Sequence, residues 1–546
     1  MTKAAEKLSV SDLCKLDDEQ LRALPHVQLQ AVSICLLHEF KVAIDRLNQT
    51  PQNSSVPPSS LPPWVSLTKA TAAAKSLAQN AQTGTMEKNS ATAEPSAPAE
   101  SLPARDGAAR SSTNTPSGKP AGKQLGAPGY GRVQKLAVTD TQHHYPSHCA
   151  HCNQPLVPDP ASPIYTAWVE IDIAEKVVGQ PALSMKVTRH EMHVLPCGCG
   201  HSTQAKTFVA DQDPLWDKVA VGEWRLIGPL LAALIVYMAF SMRLSRARIR
   251  CFFDEILDLQ LSTGVINNTI LEAGRCAAPL EDELVKEVEV ARLLNIDETP
   301  WKEGGQLLWM WVFVTQYTKL FLIGHRCMEI LSNLLGDTFD GIIMSDGYQA
   351  YRHFKNRLRC WAHLLRKTQG LADSADAYVA RVGNAMQDCL CNLMESIYAA
   401  RETPKQAGPP MAEPPKNDPI SVDQKAEVEK LRVLCEQNQD HKHDKLRALA
   451  REFLNDWEVI LRQVAEPYLP LTNNAAEQIL RHWVIARKLS QGTRSEAGTR
   501  VVGILASVIE TCRARNASPW RFLGQVIGAA RIGAELPTMP IIPVGV

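Results

Sequence analysis

Apolar residues recur at near-helical intervals over residues 16–47, through Leu21, Leu24, Val27, Leu29, Val32, Leu36, Leu37, Phe40, Ile44 and Leu47, with Pro25 as an early break. This spacing predicts a helical hairpin or short coiled-coil segment that packs or self-associates. The pattern then stops. Residues 51–128 are dominated by Pro, Ser, Ala, Thr and Gly, a composition that cannot offset the entropy of ordering, so a linker is expected there. Alternating positions rich in Val, Ile and Thr return at 164–173 and 184–195 and predict two strands. Helical spacing follows at 229–240, 245–257, 263–273 and 279–290, with Leu261 and Ser262 as turn and cap before the third.

From residue 291 the pattern shortens. Segments 291–296, 307–315 and 318–323 predict an antiparallel meander, followed by a helix at 328–335, a buried strand at 341–344, a helix at 349–354 and a last strand at 357–361. That order is expected of an α/β fold with a mixed five-stranded sheet. Residues 371–470 are mostly helical with a Pro-rich break at 403–419, and helices at 473–488 and 496–513 close the fold.

With 546 residues, 45% of them hydrophobic, several domains can each bury a core. No signal peptide is read at the N-terminus, and the longest strongly apolar stretch, 226–240, is 15 residues long and holds Gly228 and Pro229. A spanning helix needs about 20 apolar residues. A buried helix, a cytoplasmic protein and no membrane partner are therefore expected, with the 14 Cys as free thiols or metal ligands. Equal numbers of basic and acidic residues, 58 each, hide strong local asymmetry. An acidic stretch at 281–298 contrasts with basic strips at 243–250, 352–367 and 481–494.

Three groups of residues carry chemistry. Asp297 is expected to end the first strand of the sheet, Asp346 the fourth, and Glu477 lies in the first turn of a helix. Neighbouring first and fourth strands would bring the two aspartates side by side, and three clustered carboxylates become tolerable when they hold Mg²⁺. Two such ions about 4 Å apart promote phosphodiester displacement. Each acid also has a structural alternative: a turn at Asp346-Gly347, a turn before Pro300 for Asp297, and a capping partner of Asn474 for Glu477.

The second group is Cys149 and Cys152 with Cys197 and Cys199, the makings of a tetrahedral thiolate Zn²⁺ site around a strand hairpin. The one-residue gap of the second pair leaves His201, His148 or His151 as alternatives to one Cys. The third is a helix-turn-helix-like segment in which Arg243, Arg246, Arg248 and Arg250 would contact phosphates while the helix from Thr263 enters the major groove. A solvated basic face is the other reading. Arg352, Lys355, Arg481, Arg487, Lys488 and Arg494 extend the basic surface near the second and third acids, with Arg481 one helical turn from Glu477 and placed to pair with it.

Asn295-Ile-Asp-Glu-Thr-Pro-Trp301, the 308–312 Leu-Trp-Met-Trp-Val strand, Ser345-Asp-Gly-Tyr-Gln-Ala-Tyr351, Cys360-Trp-Ala-His363, the 471–477 Leu-Thr-Asn-Asn-Ala-Ala-Glu segment and Ser495-Glu-Ala-Gly498 together closely resemble the IS66 family of transposases. The resemblance runs in order over residues 131–530. It implies an RNase H-like catalytic domain of the DDE type with Asp297, Asp346 and Glu477 as the Mg²⁺ or Mn²⁺ triad. The spacings of 49 residues from Asp297 to Asp346 and 131 from Asp346 to Glu477 fit a helical insertion between the second and third acids. It also implies a structural Zn²⁺ domain at the Cys cluster, a DNA-binding helical region, double-stranded DNA at element ends and target, a homo-oligomer and accessory proteins of the element. Cys360 and His363 match the family's Cys-x-x-His pair, for which a structural role packing the last strand onto the next helix is at least as well supported as metal binding.

The expected layout is an N-terminal helical segment at 1–50, a disordered linker at 51–130, a zinc-binding domain at 131–210, the helical DNA-binding region at 211–290, the RNase H-like domain at 291–370 and 471–530, its helical insertion at 371–470 and a tail at 531–546. The rival readings are an RNase H-like nuclease without strand transfer and an inactive zinc-containing DNA-binding regulator.

Overall fold

The computed structural model describes residues 25–47, 49, 137–174, 184–205, 225–336, 338–402 and 422–543. The expected linker, the Pro-rich break at 403–419 and the segment before Pro25 lie outside them. Helix α1, His26–Leu47, starts immediately after Pro25, which cannot donate a backbone hydrogen bond and suits a helix start. It leaves Val27, Ile34, Leu36, Leu37 and Phe40 exposed. By length and composition, residues 26–45 could cross a membrane. Their buried Asp45, however, accepts hydrogen bonds from Ser374 Oγ (2.7 Å) and Ala375 N (2.9 Å), which ties the helix to the helical layer described below.

The first sheet contains β1 (Asp140–His144), β2 (Ile164–Ile173), β3 (Met185–Pro196), β4 (Ser202–Gln204) and β5 (Arg225–Ile227). Its order is β1-β3-β2-β5, with β4 on β3; β2 and β3 are antiparallel, while β1 on β3 and β5 on β2 are parallel. The chain passes from β5 into α2 (Pro229–Phe240) through Gly228, where a Cβ would stand 2.3 Å from Asp172. Only glycine lets the Asp172 carboxylate accept the Leu231 N–H at 2.7 Å and so cap the helix.

Helices α3 (Arg246–Leu257), α4 (Thr263–Ala277) and α5 (Pro279–Glu289) follow. Ser245 and Ser262 cap α3 and α4 through their hydroxyls, as serines preceding a helix do.

The second sheet contains β6 (Leu293–Glu303), β7 (Gln306–Val314), β8 (Lys319–Gly324), β9 (Ile342–Ser345) and β10 (Arg357–Arg359), with α6 (Met328–Leu335) between β8 and β9 and a 3₁₀ turn at Gln349–His353. Its order is β10-β9-β6-β7-β8. Pairs β6–β7 and β7–β8 are antiparallel, and β6–β9 and β9–β10 are parallel. The mixed five-stranded sheet expected from the pattern is thus present. Strand β6 differs in length: it runs six residues past Asp297, because β7 pairs with it as far as Glu303↔Gln306. Asp297 lies inside a strand and does not end one.

A helical layer follows: α7 (Trp361–Ala372), α8 (Ala377–Glu402), α9 (Val422–Asn438), α10 (Asp444–Asn455) and α11 (Trp457–Ala465). They share one core that includes Trp361, Met386, Leu390, Leu431, Phe453 and Ile460. The chain returns to the sheet with α12 (Asn474–Ser490), α13 (Glu496–Ala514) and α14 (Pro519–Arg531). Helix α13 docks on β8 closely: Ser507 Oγ accepts the Phe321 N–H at 2.8 Å, and a Cβ at Gly503 would lie 3.1 Å from the Phe321 carbonyl oxygen. Helices α4 and α2 pack in turn on α13 and α14, through Gly274 against Val501 and Gly524 against Leu230.

Candidate active site and metal centres

The parallel register of β6 and β9 brings the two aspartates together. Its last pair is Asn295↔Met344, so Asp297 and Asp346 each lie two residues beyond it, at equivalent positions where β9 has ended. Asp346 Oδ1 accepts the Tyr348 N–H at 2.8 Å, an Asx turn that directs the chain into the 3₁₀ turn.

Glu477 reaches the same place from α12. Asn473, fully buried at the N-terminus of that helix, donates Nδ2 to the carbonyl of Ile296 (2.8 Å), and its N–H meets Cys360 Sγ at 3.2 Å. The N-cap is therefore Asn473 and not Asn474, and its side chain fastens the helix to the strand next to Asp297 in place of a local cap. Sequence reasoning missed this role, since an Asn before a helix already has an ordinary explanation as a cap.

The electrostatics follow from this crowding. Burial, then the charges of Glu298, Asp346 and Glu477, hold the Asp297 carboxyl well above the ordinary carboxylate range. Glu477 Oε1 is buried without a hydrogen-bond partner among the described residues. A raised acid among acids and a buried carboxylate oxygen that makes no hydrogen bond are what a divalent cation with hard oxygen ligands would satisfy. Glu477 stands 3.7 Å from His363 Nε2 and from Arg366, and no ion pair joins it to Arg481 among the described residues. Burial and then the Arg366 charge pull His363 down to about 4, so its ring is neutral at pH 7. Cys360, His363 and Glu477 form a compact group whose ligand atoms lie within 4.8 Å of one another, and Cys360 Sγ accepts the Asn473 N–H at the start of α12.

On the opposite face of β6, Glu298 accepts from Tyr351 Oη (2.6 Å) and from Arg326 Nε (3.0 Å). The Arg326 guanidinium lies over Trp309 and Tyr348, 4.4 and 3.9 Å from the ring centres. This network, with Glu298 and Tyr351 buried and Arg326 exposed at its edge, braces the strand and the Asp346 loop from behind. Each of its residues looks ordinary alone; they come from β6, β7, the segment after β8 and the turn after β9, and meet only in the assembled sheet.

The four cysteines also converge. Cys149 Sγ is 3.6 Å from Cys199 Sγ, and Cys152 Sγ is 3.5 Å from Cys197 Sγ, with all four ligand atoms within 4.8 Å of one another. The N–H of Cys152, then that of His151, hold the Cys149 thiol down at about 5 against the effect of burial. On Cys152 and Cys199 the neighbouring sulfurs outweigh such backbone hydrogen bonds and shift the thiols up, Cys199 to about 12. Four crowded thiols ionise together only around a cation, and the donor set fits Zn²⁺. His148, His151 and His201 are not part of this group.

The basic residues divide. Arg248 and Arg250 are exposed on α3, as are Lys355, Arg481, Lys488 and Arg494. Arg243, Arg246 and Arg494 line one cleft of about 640 Å³ with Trp301 and Trp483. On α4 the N-terminal end is open at Thr263, Gly264, Asn267 and Asn268, and Arg275 is exposed near the C-terminal end, while Ile266, Thr269, Ile270, Ala273, Gly274 and Ala277 are buried. Arg487 donates to Thr299 Oγ1 (3.1 Å) and to the Pro300 carbonyl, which binds α12 to β6. The strip at 352–367 is not the open basic surface expected: Arg357 and Arg359 are buried against Asp456 and Glu452, Lys367 pairs with Glu452, and Arg352 lies 3.5 Å from Asp456. Buried guanidinium groups require carboxylate partners, and the helical layer supplies them.

A protein-family model described as "Transposase IS66 family" matches residues 225–501, which include Asp297, Asp346 and Glu477. The chain belongs to the IS66 transposase family. Two curated relatives come from Sinorhizobium fredii (strain NBRC 101917 / NGR234). Uncharacterized protein y4jO is 28% identical over 195 residues, 36% of this chain and 54% of the relative. Uncharacterized protein y4qI is 25% identical over 293 residues, 48% of this chain and 52% of the relative. The chain spans about half the length of each of these relatives. The IS66 match begins after the four cysteines, so the thiolate cluster stands on its own geometry.

Proposed function

We propose that this IS66-family transposase is a DDE-type enzyme on an RNase H-like sheet, which cleaves DNA at element ends and joins the freed 3′-hydroxyl to a target. The observation that carries the proposal is the convergence of Asp297, Asp346 and Glu477, with the Asp297 carboxyl held well above its ordinary range by burial and then by its acidic neighbours, and Glu477 Oε1 buried without a hydrogen bond among the described residues. The strand order β10-β9-β6-β7-β8, with an antiparallel meander and two parallel additions, supports the fold reading. These three carboxylates would hold Mg²⁺ or Mn²⁺, which when bound activates a nucleophilic oxygen and stabilises the leaving one in phosphodiester displacement. The protein's own part is positional. Asn473 sets Glu477 against β6, the Asx turn sets Asp346, and the Arg326–Glu298–Tyr351 network keeps both strands from relaxing apart.

Zn²⁺ at Cys149, Cys152, Cys197 and Cys199 would have a structural role, because nothing in that group suits it to act as a general base. Exposed Arg248 and Arg250 on α3, with Arg243, Arg246 and Arg494 at the adjoining cleft, would contact the phosphates of double-stranded DNA, with Lys355, Arg481 and Lys488 as further contacts. Neutralising Arg248 and Arg250 together is expected to weaken DNA binding uniformly across sequences and to lower the slope of log affinity against log salt by about 2. Binding measured over a salt series checks this, and an unchanged slope would remove α3 from the interface. Action on DNA in the cytoplasm as a homo-oligomer, with accessory proteins of the element, belongs to the same reading.

A nuclease of the same architecture would hydrolyse without joining. Labelled DNA carrying the inverted ends that flank the gene separates the two: the transposase is expected to yield end-to-target joined products in Mg²⁺ or Mn²⁺, whereas cut ends that are never joined would favour the nuclease.

A further inference from the structure

The first sheet carries a second constellation on the strand next to the cysteine loops. In parallel register, β1 places His143 opposite Glu191 of β3, and His193 lies two residues beyond Glu191 on the same face. His143 Nδ1 is 3.0 Å from His193 Nε2 and 3.2 Å from Glu191 Oε2. All three donor atoms lie within 4.8 Å of one another. The opposite face is different: His144 Nε2 meets His190 Nδ1 at 2.9 Å, and both rings stack on Trp168.

We propose that His143, Glu191 and His193 form a second divalent-metal site of the zinc type, separate from the thiolate cluster and from the catalytic carboxylates. The arrangement of His193 supports this most strongly. The ring is 1% exposed, and its Nδ1 faces the Ser162 carbonyl at 3.1 Å and the Ser162 hydroxyl at 3.0 Å. A backbone carbonyl can only accept, so Nδ1 carries the proton and Nε2 presents its lone pair towards His143 and Glu191. Fixing one imidazole nitrogen on a carbonyl so that the other can bind is the usual outer-shell arrangement of a metal-ligating histidine. Glu191 is held similarly, its Oε1 accepting from Arg189 Nε at 2.9 Å while Oε2 faces His143.

The separations also fit. Donors about 2.0–2.1 Å from a tetrahedral ion lie about 3.3 Å from one another, close to the 3.0 and 3.2 Å found here. His143 is 44% exposed in its side chain, so the group opens to solvent on one side, which leaves room for a further ligand. A bound ion would staple β1, whose sheet partner among the described residues is β3, onto the body of the sheet.

Titration of the metal-stripped full chain with Zn²⁺ against a chromophoric chelator, in excess Mg²⁺ to occupy the carboxylate trio, tests the site. Wild type is expected to lose one tight equivalent on His143→Ala and the same one on the nearly isosteric Glu191→Gln, each weakening it at least about a hundredfold. Cys149→Ser should remove a different equivalent, the one that gives thiolate charge-transfer absorption with Co²⁺. Because His143 is exposed and Glu191→Gln keeps its shape, neither change truncates the core. Wild-type Zn²⁺ uptake retained in both variants would overturn the proposal, whatever the Cys149 variant does.

Discussion

Asp297→Asn is expected to abolish strand cleavage, lowering its rate at least about a thousandfold, the scale on which single catalytic groups act, while raising the thermal stability of the metal-free protein. The two effects share a cause. Burial and the charges of Glu298, Asp346 and Glu477 hold the Asp297 carboxyl well above its ordinary range, so the folded state binds a proton there more tightly than the unfolded chain does. Stability therefore falls as pH rises from about 3.8, where an ordinary aspartate titrates, to the raised value. Asparagine retains the Oδ1 that accepts the Glu298 N–H at 2.9 Å but carries no charge at any pH. Relief of about 1 kcal/mol would raise the melting temperature by about 2–4 °C in a domain of this size. Melting curves over a pH series should show the variant gaining most at neutral pH and least near pH 4. A variant that loses activity together with stability would instead mark Asp297 as a fold residue.

The largest loss of stability is expected at Asp456, remote from the trio. Its carboxylate receives Arg357 NH2 at 2.7 Å and a hydrogen bond from Arg359, whose side chain is 1% exposed. Burial acts to raise the Asp456 pKa, but the Arg357 hydrogen bond and the charges of Arg357, Arg359 and Arg352 outweigh it and hold the group below its ordinary value. Removing one partner of such a cluster leaves cations buried without a counter-charge, a change that costs about 3–5 kcal/mol. Asp456→Ala should destabilise by that amount in urea unfolding, whereas Glu436→Ala, which removes an exposed pair with Arg432, should cost less than about 1 kcal/mol. Because the Asp456 pKa is depressed, its contribution is fully present above about pH 3.8 and disappears as pH falls through the lower folded value. The wild-type and Asp456→Ala stabilities should converge in that acid range.

These two sites differ in how far the sequence revealed them. Expected strand ends and a helix start locate the three acids along the chain, but the same signals also fit a turn at Asp346-Gly347 and a helix cap; the resemblance to IS66 transposases is what singled the trio out. The extent of β6 was not legible, since Glu298, Thr299 and Pro300 resemble a turn; pairing with β7, which sets Pro300 against Trp309, keeps them extended. The short strands β1, β4 and β5 carry no hydrophobic alternation of their own and are defined by their partners. The basic run after Asp346 misled for a related reason. Its counter-charges, Glu452 and Asp456, lie 93 and 97 residues from Arg359, beyond any local window, so buried guanidinium groups looked like a phosphate-facing surface. Asn473 and the Arg326–Glu298–Tyr351 network are likewise properties of non-local packing.

If Asp297, Asp346 and Glu477 act jointly on one metal centre, they share one binding equilibrium. Electron paramagnetic resonance of Mn²⁺ titrated into the Zn²⁺-loaded full chain tests this most directly, with Asp297→Asn, Asp346→Asn and Glu477→Gln compared singly. Each substitution alone is expected to weaken the same Mn²⁺ binding at least tenfold. Wild-type Mn²⁺ affinity in all three variants would contradict a shared centre.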